Sequence, residues 1–100
     1  MSAAGKWNVT MQTPIGTLNF AWDLVDEGAN WRGHMTGQPP VGNSELSAIR
    51  VEGEAVSFET TAQSPMGALK LAFSGSVNGD SMQGVCKTKF GDNRFSAQRG

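Results

Sequence analysis

The chain has 100 residues, with 13 glycines, four prolines, one cysteine, 17% charged residues and a formal net charge of −1. A balance this close to neutral excludes an electrostatic nucleic-acid binder, which carries a basic surplus, and no apolar run approaches the roughly 18 residues of a membrane helix. Cys86 alone excludes an internal disulfide.

The hydrophobic period is two almost throughout, the pattern of strands with one buried face. The first strand is expected over 6–13, where Trp7, Val9 and Met11 alternate with Asn8, Thr10 and Gln12. Thr13-Pro14-Ile15-Gly16 then turns the chain: Pro presets φ, and Gly accepts the positive φ of a type I turn with a bulge. The second strand, 16–25, sets Leu18, Phe20, Trp22 and Leu24 against Thr17, Asn19, Ala21 and Asp23. After Asp26-Glu27-Gly28, the third strand covers 30–36, with Trp31, Gly33 and Met35 on one face and Arg32 and His34 on the other. Residues 37–43, Gly-Gln-Pro-Pro-Val-Gly-Asn, form the one longer loop. The fourth strand, 44–51, places Leu46, Ala48 and Arg50 on one face.

Glu52-Gly53 leads into a second set of four, expected over 55–63, 67–77, 81–87 and 93–99. Val56 and Phe58 point with Thr60 and Ala62; Leu69, Leu71 and Phe73 share a face; so do Met82, Gly84 and Cys86, and Phe95, Ala97 and Arg99. Ser64-Pro65-Met66-Gly67 repeats the earlier Pro turn, Asn78-Gly79 is the strongest two-residue hairpin signal, and Gly91-Asp92 marks the last turn.

The second set repeats the first. Thr13-Pro14-Ile15-Gly16-Thr17-Leu18 returns as Ser64-Pro65-Met66-Gly67-Ala68-Leu69 at an offset of 64 − 13 = 51, and the same offset aligns Trp7 with Phe58, Trp22 with Phe73 and Gly33 with Gly84. Near the ends, Leu46-Ser47-Ala48-Ile49-Arg50 matches Phe95-Ser96-Ala97-Gln98-Arg99 at 95 − 46 = 49, so one loop of the second copy is two residues shorter. Two units of about 50 residues are too small to stand alone, which makes 1–100 one domain built from repeats at about 5–51 and 55–100. The expected fold is all-β: an eight-stranded antiparallel up-and-down barrel of two tandem four-stranded repeats, which removes both exposed edges. A two-sheet sandwich is the alternative.

The apolar face then forms the lumen. Arg50 and Arg99 break its rule, each ending the last strand of its half on the inward parity. In a closed meander Arg99 lies beside Trp7 and Arg50 beside Phe58, so each guanidinium is expected to stack on an aromatic ring at a barrel end.

Gly5-Lys6-Trp7 opening the first strand, with Arg99 closing the last, resembles the signature of the calycins, the lipocalin and avidin group. The resemblance implies a barrel in which the Trp crosses the closed end, the late Arg covers it, and a small molecule is held inside. This chain is shorter than those proteins and more clearly repeated, and it has none of avidin's polar biotin contacts. The repeat is also similar to small barrel modules found alongside bacterial hydrolases.

Chemistry-bearing residues are few. His34 is the single histidine and points outward; Asp23, Glu45 and Glu59 read as solvated strand residues; Cys86 lies on the apolar face. No metal-ligand spacing and no G-x-S-x-G, P-loop or Rossmann fingerprint occurs, so neither metal nor cofactor is expected. The expected function is to bind a small apolar or aromatic molecule in the lumen through Phe20, Trp22, Trp31, Met35, Phe73 and Met82, with Arg50 or Arg99 for an anionic group. One alternative is a cofactor-free isomerase, cyclase or lyase using the same barrel, or His34, Asp23 and Arg32 if the polar face were inside. Another is a structural or accessory domain with a filled core. No nucleic-acid or membrane partner is expected, and a homo-oligomer is left open. Met1-Ser2-Ala3-Ala4 is too short and polar for a secretion signal, so the expected compartment is the cytoplasm, a removed signal being the other case.

Overall fold

The computed structural model describes residues 3–14, 16–28, 30–37, 42–64, 67–89 and 91–100, and for 62–64 the backbone alone. Nine strands are described: β1 (Gly5–Thr13), β2 (Gly16–Asp26), β3 (Trp31–Gly37), β4 (Ser44–Glu45), β5 (Ser47–Glu52), β6 (Ala55–Ser64), β7 (Gly67–Asn78), β8 (Ser81–Thr88) and β9 (Gly91–Arg99). Among the described residues no helix is long and apolar enough to cross a membrane. Most of the expected 37–43 loop, at 38–41, and the tips of both Pro turns lie outside the described residues.

Every pairing is antiparallel, in the order β4-β3-β2-β1-β9-β8-β7-β6-β5. The chain ends are joined through β1 and β9, in register from Trp7↔Arg99 to Met11↔Phe95. The two terminal members of the order, β4 and β5, are consecutive in the chain. The sheet therefore curls into a nearly closed barrel 37 Å long and 22 Å across.

The ninth strand corrects the expectation of eight. The fourth expected strand divides at Leu46: its first part pairs with β3, at His34↔Glu45 and Met35↔Ser44, and its second part pairs with β6. The β5–β6 register slips by one residue between Ser47↔Glu59 and Arg50↔Ser57, which is a β-bulge. Ala48 takes the extra turn with φ 52°, the one non-glycine residue in the left-handed region among those described. A left-handed backbone costs a residue with a Cβ roughly 1–2 kcal/mol.

One extra residue reverses side-chain parity. Ala48 and Arg50, expected inside, are exposed, whereas Ile49 and Val51 pack against the core. Arg50 sits opposite Ser57 rather than Phe58. The expected stack of Arg50 on Phe58 is thus overturned by the bulge.

At the other end the expected closure forms. The Arg99 guanidinium lies 4.4 Å from the centre of the Trp7 ring. Its Nη1 donates to the Ala4 carbonyl at 2.6 Å and its Nε to Asp80 Oδ1 at 3.2 Å. Trp7 Nε1 donates to the Ala3 carbonyl at 2.8 Å, so the segment before β1 is drawn across the barrel floor and Ala3 is buried.

Glycine is required where β7 and β8 meet. Gly75 pairs with Gly84, and a Cβ on Gly84 would overlap the Ser74 carbonyl and crowd the Gly75 Cα, while one on Gly75 would press on the Phe95 ring and the Gln83 carbonyl. The missing side chains let two backbones come together.

The two arginines therefore differ in stability. Arg99→Ala is expected to lower the unfolding free energy in urea by about 2 kcal/mol, through loss of the stack and of partly buried hydrogen bonds. Arg50→Ala is expected to change it by less than about 0.5 kcal/mol, as for an exposed surface residue. Equal losses would contradict the bulge.

Candidate functional site

The lumen is occupied by side chains. Trp22, fully buried, pairs across β1–β2 with Trp7 and stands at the centre of a ring cluster. Its ring lies edge-on to Phe58 at 4.7 Å, Phe73 at 5.0 Å and Phe95 at 5.2 Å, with Phe20 tilted at 6.0 Å. Edge-to-face pairs of this kind contribute about 0.5–1.5 kcal/mol each beyond their buried area. Met35, Met82, Leu24 and Cys86 are among the other buried side chains. Five of the eight expected binding residues, Phe20, Trp22, Met35, Phe73 and Met82, are thus brought together as one packed core.

The other three are dispersed. Trp31 is half-buried at the start of β3, Arg50 is exposed on β5, and Arg99 lies on the floor over Trp7. One detail of the core is unusual: Trp22 Nε1 is buried and has no hydrogen-bond partner. A buried donor left unpaired costs about 1–3 kcal/mol. At the aligned position in the second half of the sequence stands Phe73, which fills the space without a donor.

The wall is open at one place. Leu46 N–H donates to the Gly33 carbonyl at 2.9 Å, and among the described residues β3 and β5 are not ladder neighbours. On the far side of β4 a side chain substitutes for a ladder. Thr60, 2% exposed, donates its hydroxyl proton to the Glu45 carbonyl at 2.7 Å and accepts that of Ser44 at 2.7 Å. Beyond Leu46 the bulge at Ala48 carries the chain away from β3, and a seam opens between the start of β3 and the end of β5.

A pocket of ≈ 250 Å³ lies on the β3 side of this seam, lined by Val25, Trp31, Arg32, Gly33, His34, Glu45 and Leu46 and by no residue of β5. It combines inward residues, Trp31 and Leu46, with outward ones, Arg32, His34 and Glu45. Val25 is the one large hydrophobic residue that stands exposed among those described, at 45%. Arg32 reaches Glu27 at 3.5 Å with its side chain 74% exposed, too solvated for the pair to contribute much. On the outer face a polar row crosses four strands, Lys6 to Asp23 to His34 to Glu45, each the ladder partner of the next. A second depression of ≈ 180 Å³ adjoins Arg50, Glu52, Ser57 and Ser74. A wider one of ≈ 490 Å³, lined by Asn8, Thr10, Asn19, Thr36 and others, lies against β1–β3. The seam pocket is the one with an indole on its wall.

Among the described residues no group of three His, Cys, Asp or Glu side chains gathers to hold a metal. Cys86 is fully buried, and burial pushes its thiol up to about 12; a backbone hydrogen bond at Ala72 works against the rise and the charge of Asp92 adds to it. A thiol so protonated is neither nucleophile nor ligand.

No protein-family model and no curated protein matches the chain. Its fold is similar to that of a solved redesigned beta barrel, with a TM-score of 0.74 at 14% identity over 97% of this chain and 90% of the other. At that identity the likeness shows the all-β, nearly closed antiparallel barrel and nothing of a ligand.

The Cys86 environment has a direct consequence. The folded protein is expected to resist a thiol reagent at pH 8 and to react at once in denaturant. Because the folded thiol ionises near 12 and the unfolded one near its ordinary 9.0, this group's contribution to stability is complete below pH 9 and is lost as pH rises toward 12. Rapid labelling of the folded protein would contradict the burial.

Proposed function

We propose that the chain is a non-catalytic binding module, a calycin-like barrel with a duplicated sequence, that takes a small apolar or aromatic group of its ligand at the seam. The carrying observation is the seam pocket itself. It is where the wall lacks a ladder, where Trp31 is half-buried rather than packed away, and where Val25 stands in solvent. Aromatic and apolar walls rimmed by a few polar groups suit such a ligand.

Calycin likeness is supported by the Trp7–Arg99 stack behind Gly5-Lys6-Trp7. Duplication is supported by the 51-residue offset and by matching aromatic pairs, Trp7 with Trp22 and Phe58 with Phe73. In this reading Phe20, Trp22, Met35, Phe73 and Met82 act from behind, as the packed surface that holds the seam residues in place. Arg32, on the pocket wall, supplies the positive group there.

A second reading is favoured by the packed ring cluster, namely an accessory barrel with a filled core and no small ligand. Titration with the apolar anionic dye anilinonaphthalene sulfonate separates the two. The binding module predicts one saturable site on the folded protein, weakened at least about tenfold by Trp31→Ala, which is 1.4 kcal/mol of contact. No saturable site would leave the accessory barrel, and a site indifferent to Trp31→Ala would move the pocket away from the seam.

A further inference from the structure

A strand face that only meets water draws heavily on lysine, arginine, glutamate and aspartate. Parts of this barrel's outside do so. Lys70 pairs with Glu59 at 2.8 Å, and Lys6, Asp23, His34 and Glu45 follow one another across four strands. Beside that row the outside changes character. The next row runs Ser81–Gln98–Asn8–Ala21–Thr36 from β8 to β3, and the one after it Gln83–Ser96–Thr10–Asn19 from β8 to β2, each residue the ladder partner of the next. Every side chain but that of Ala21 ends in a hydroxyl or a carboxamide, and none is charged. All are at least partly exposed, whereas Met82, Ala97, Val9 and Met35, which alternate with them, are buried.

The ≈ 490 Å³ depression lies on this band, a volume within the roughly 300–1,000 Å³ of small-molecule sites. Asn8, Thr10, Asn19, Thr36 and Asn43 supply its side-chain polar atoms, and among the described residues no charged side chain lines it. Ala21 lies between Asn8 and Thr36 and gives the floor a small apolar spot. Thr10 donates its hydroxyl proton to Asn19 Oδ1 at 3.1 Å. The Asn19 amide nitrogen is then left to donate and Thr10 Oγ1 to accept, side by side. One row further, Thr17 donates to Gln12 Oε1 at 3.0 Å in the same manner.

This chemistry selects a ligand class. A sugar hydroxyl both donates and accepts, and a carboxamide beside a hydroxyl meets both needs. A carboxylate or phosphate calls for cationic donors, which this lining does not supply. An apolar ligand would strip water from the amides and return nothing, at about 1–3 kcal/mol for each group left unpaired.

We infer that the depression over Asn8, Thr10, Asn19, Thr36 and Asn43 is a binding site for an uncharged saccharide. It is separate from the seam, since no residue lines both pockets, and it stands whether or not the seam takes a ligand. The band continues past it over Ser96, Gln98, Ser81 and Gln83, so a chain of several sugar units meets more partners than one unit does.

The test uses the full chain, labelled with nitrogen-15, and the neutral trisaccharides of glucose, mannose, xylose and N-acetylglucosamine. Each is titrated to millimolar concentration while the side-chain amide resonances of Asn8, Asn19 and Asn43 are followed. The expected result is that at least one trisaccharide saturates the protein and shifts Asn8 and Asn19, and that its monosaccharide binds more weakly. Asn19→Ala and Thr10→Val, with folding checked by the urea midpoint, should each weaken binding at least about tenfold, which is 1.4 kcal/mol. Trp31→Ala should leave it unchanged. The inference is overturned if no trisaccharide saturates, if sorbitol produces the same shifts, or if Asn19→Ala and Thr10→Val both bind as tightly as the parent. Binding that survives Asn19→Ala and is lost with Trp31→Ala would also overturn it, by moving the sugar to the seam.

Discussion

The structure depends on the pairing of β1 with β9. Joining the chain's two ends fixes the circumference of the sheet, so any mismatch in closing must appear on the opposite side, between β3 and β6. The floor reinforces this joint: Arg99 stacks on Trp7 from the neighbouring strand and holds the Ala4 carbonyl, while Trp7 holds that of Ala3. The segment left to close the opposite side, 44–52, spans the gap by serving both neighbours in turn. It is β3's partner before Leu46 and β6's partner after it.

In the proposed reading, that division sets what the molecule offers a ligand. A barrel only 22 Å across has an interior about wide enough for side chains, and Trp22 with its Phe neighbours fills it. The place of access is where the ladder fails, not where the apolar residues are densest. The bulge at Ala48 carries a conformational cost, and β3 and β5 share no ladder beyond it. In the proposed reading, this strained and incompletely laddered stretch borders the binding surface.

Much of the fold was legible because its information is local. Alternation around Trp7, Trp22 and Phe73, and the turn residues at Gly16, Gly67 and Gly79, place the expected strands within about two residues of the observed ones, a scatter usual for strand ends. The Asn78-Gly79 turn moved by one position: Asn78 pairs with Ser81, and Gly79 and Asp80 form the loop. The bulge was not read, since no Gly or Asn stands at 48 to mark a positive φ. Its trace is a phase change: apolar residues step from Leu46 to Ile49 and then Val51, three apart and then two. Following that step would have turned Arg50 outward. Whether the lumen is filled could not be read at all, because it depends on how side-chain volume compares with a cross-section set by closure. Nor could the seam, whose residues come from β2, β3 and the 44–52 segment and show no shared motif.

The most direct measurement is residue-resolved amide hydrogen exchange on the free protein. The account predicts strong protection for amides in the β1–β9 ladder, such as Asn8, Thr10, Ser96 and Gln98, which alternate in phase with the Gly100 N–H to Lys6 carbonyl bond, and rapid exchange at Trp31, which lies beyond the last β3–β4 pair. Protection of Trp31 equal to that of the β1–β9 amides would mean that the wall is closed there, and the central claim, a filled barrel whose ladder is interrupted between β3 and β5, would be wrong.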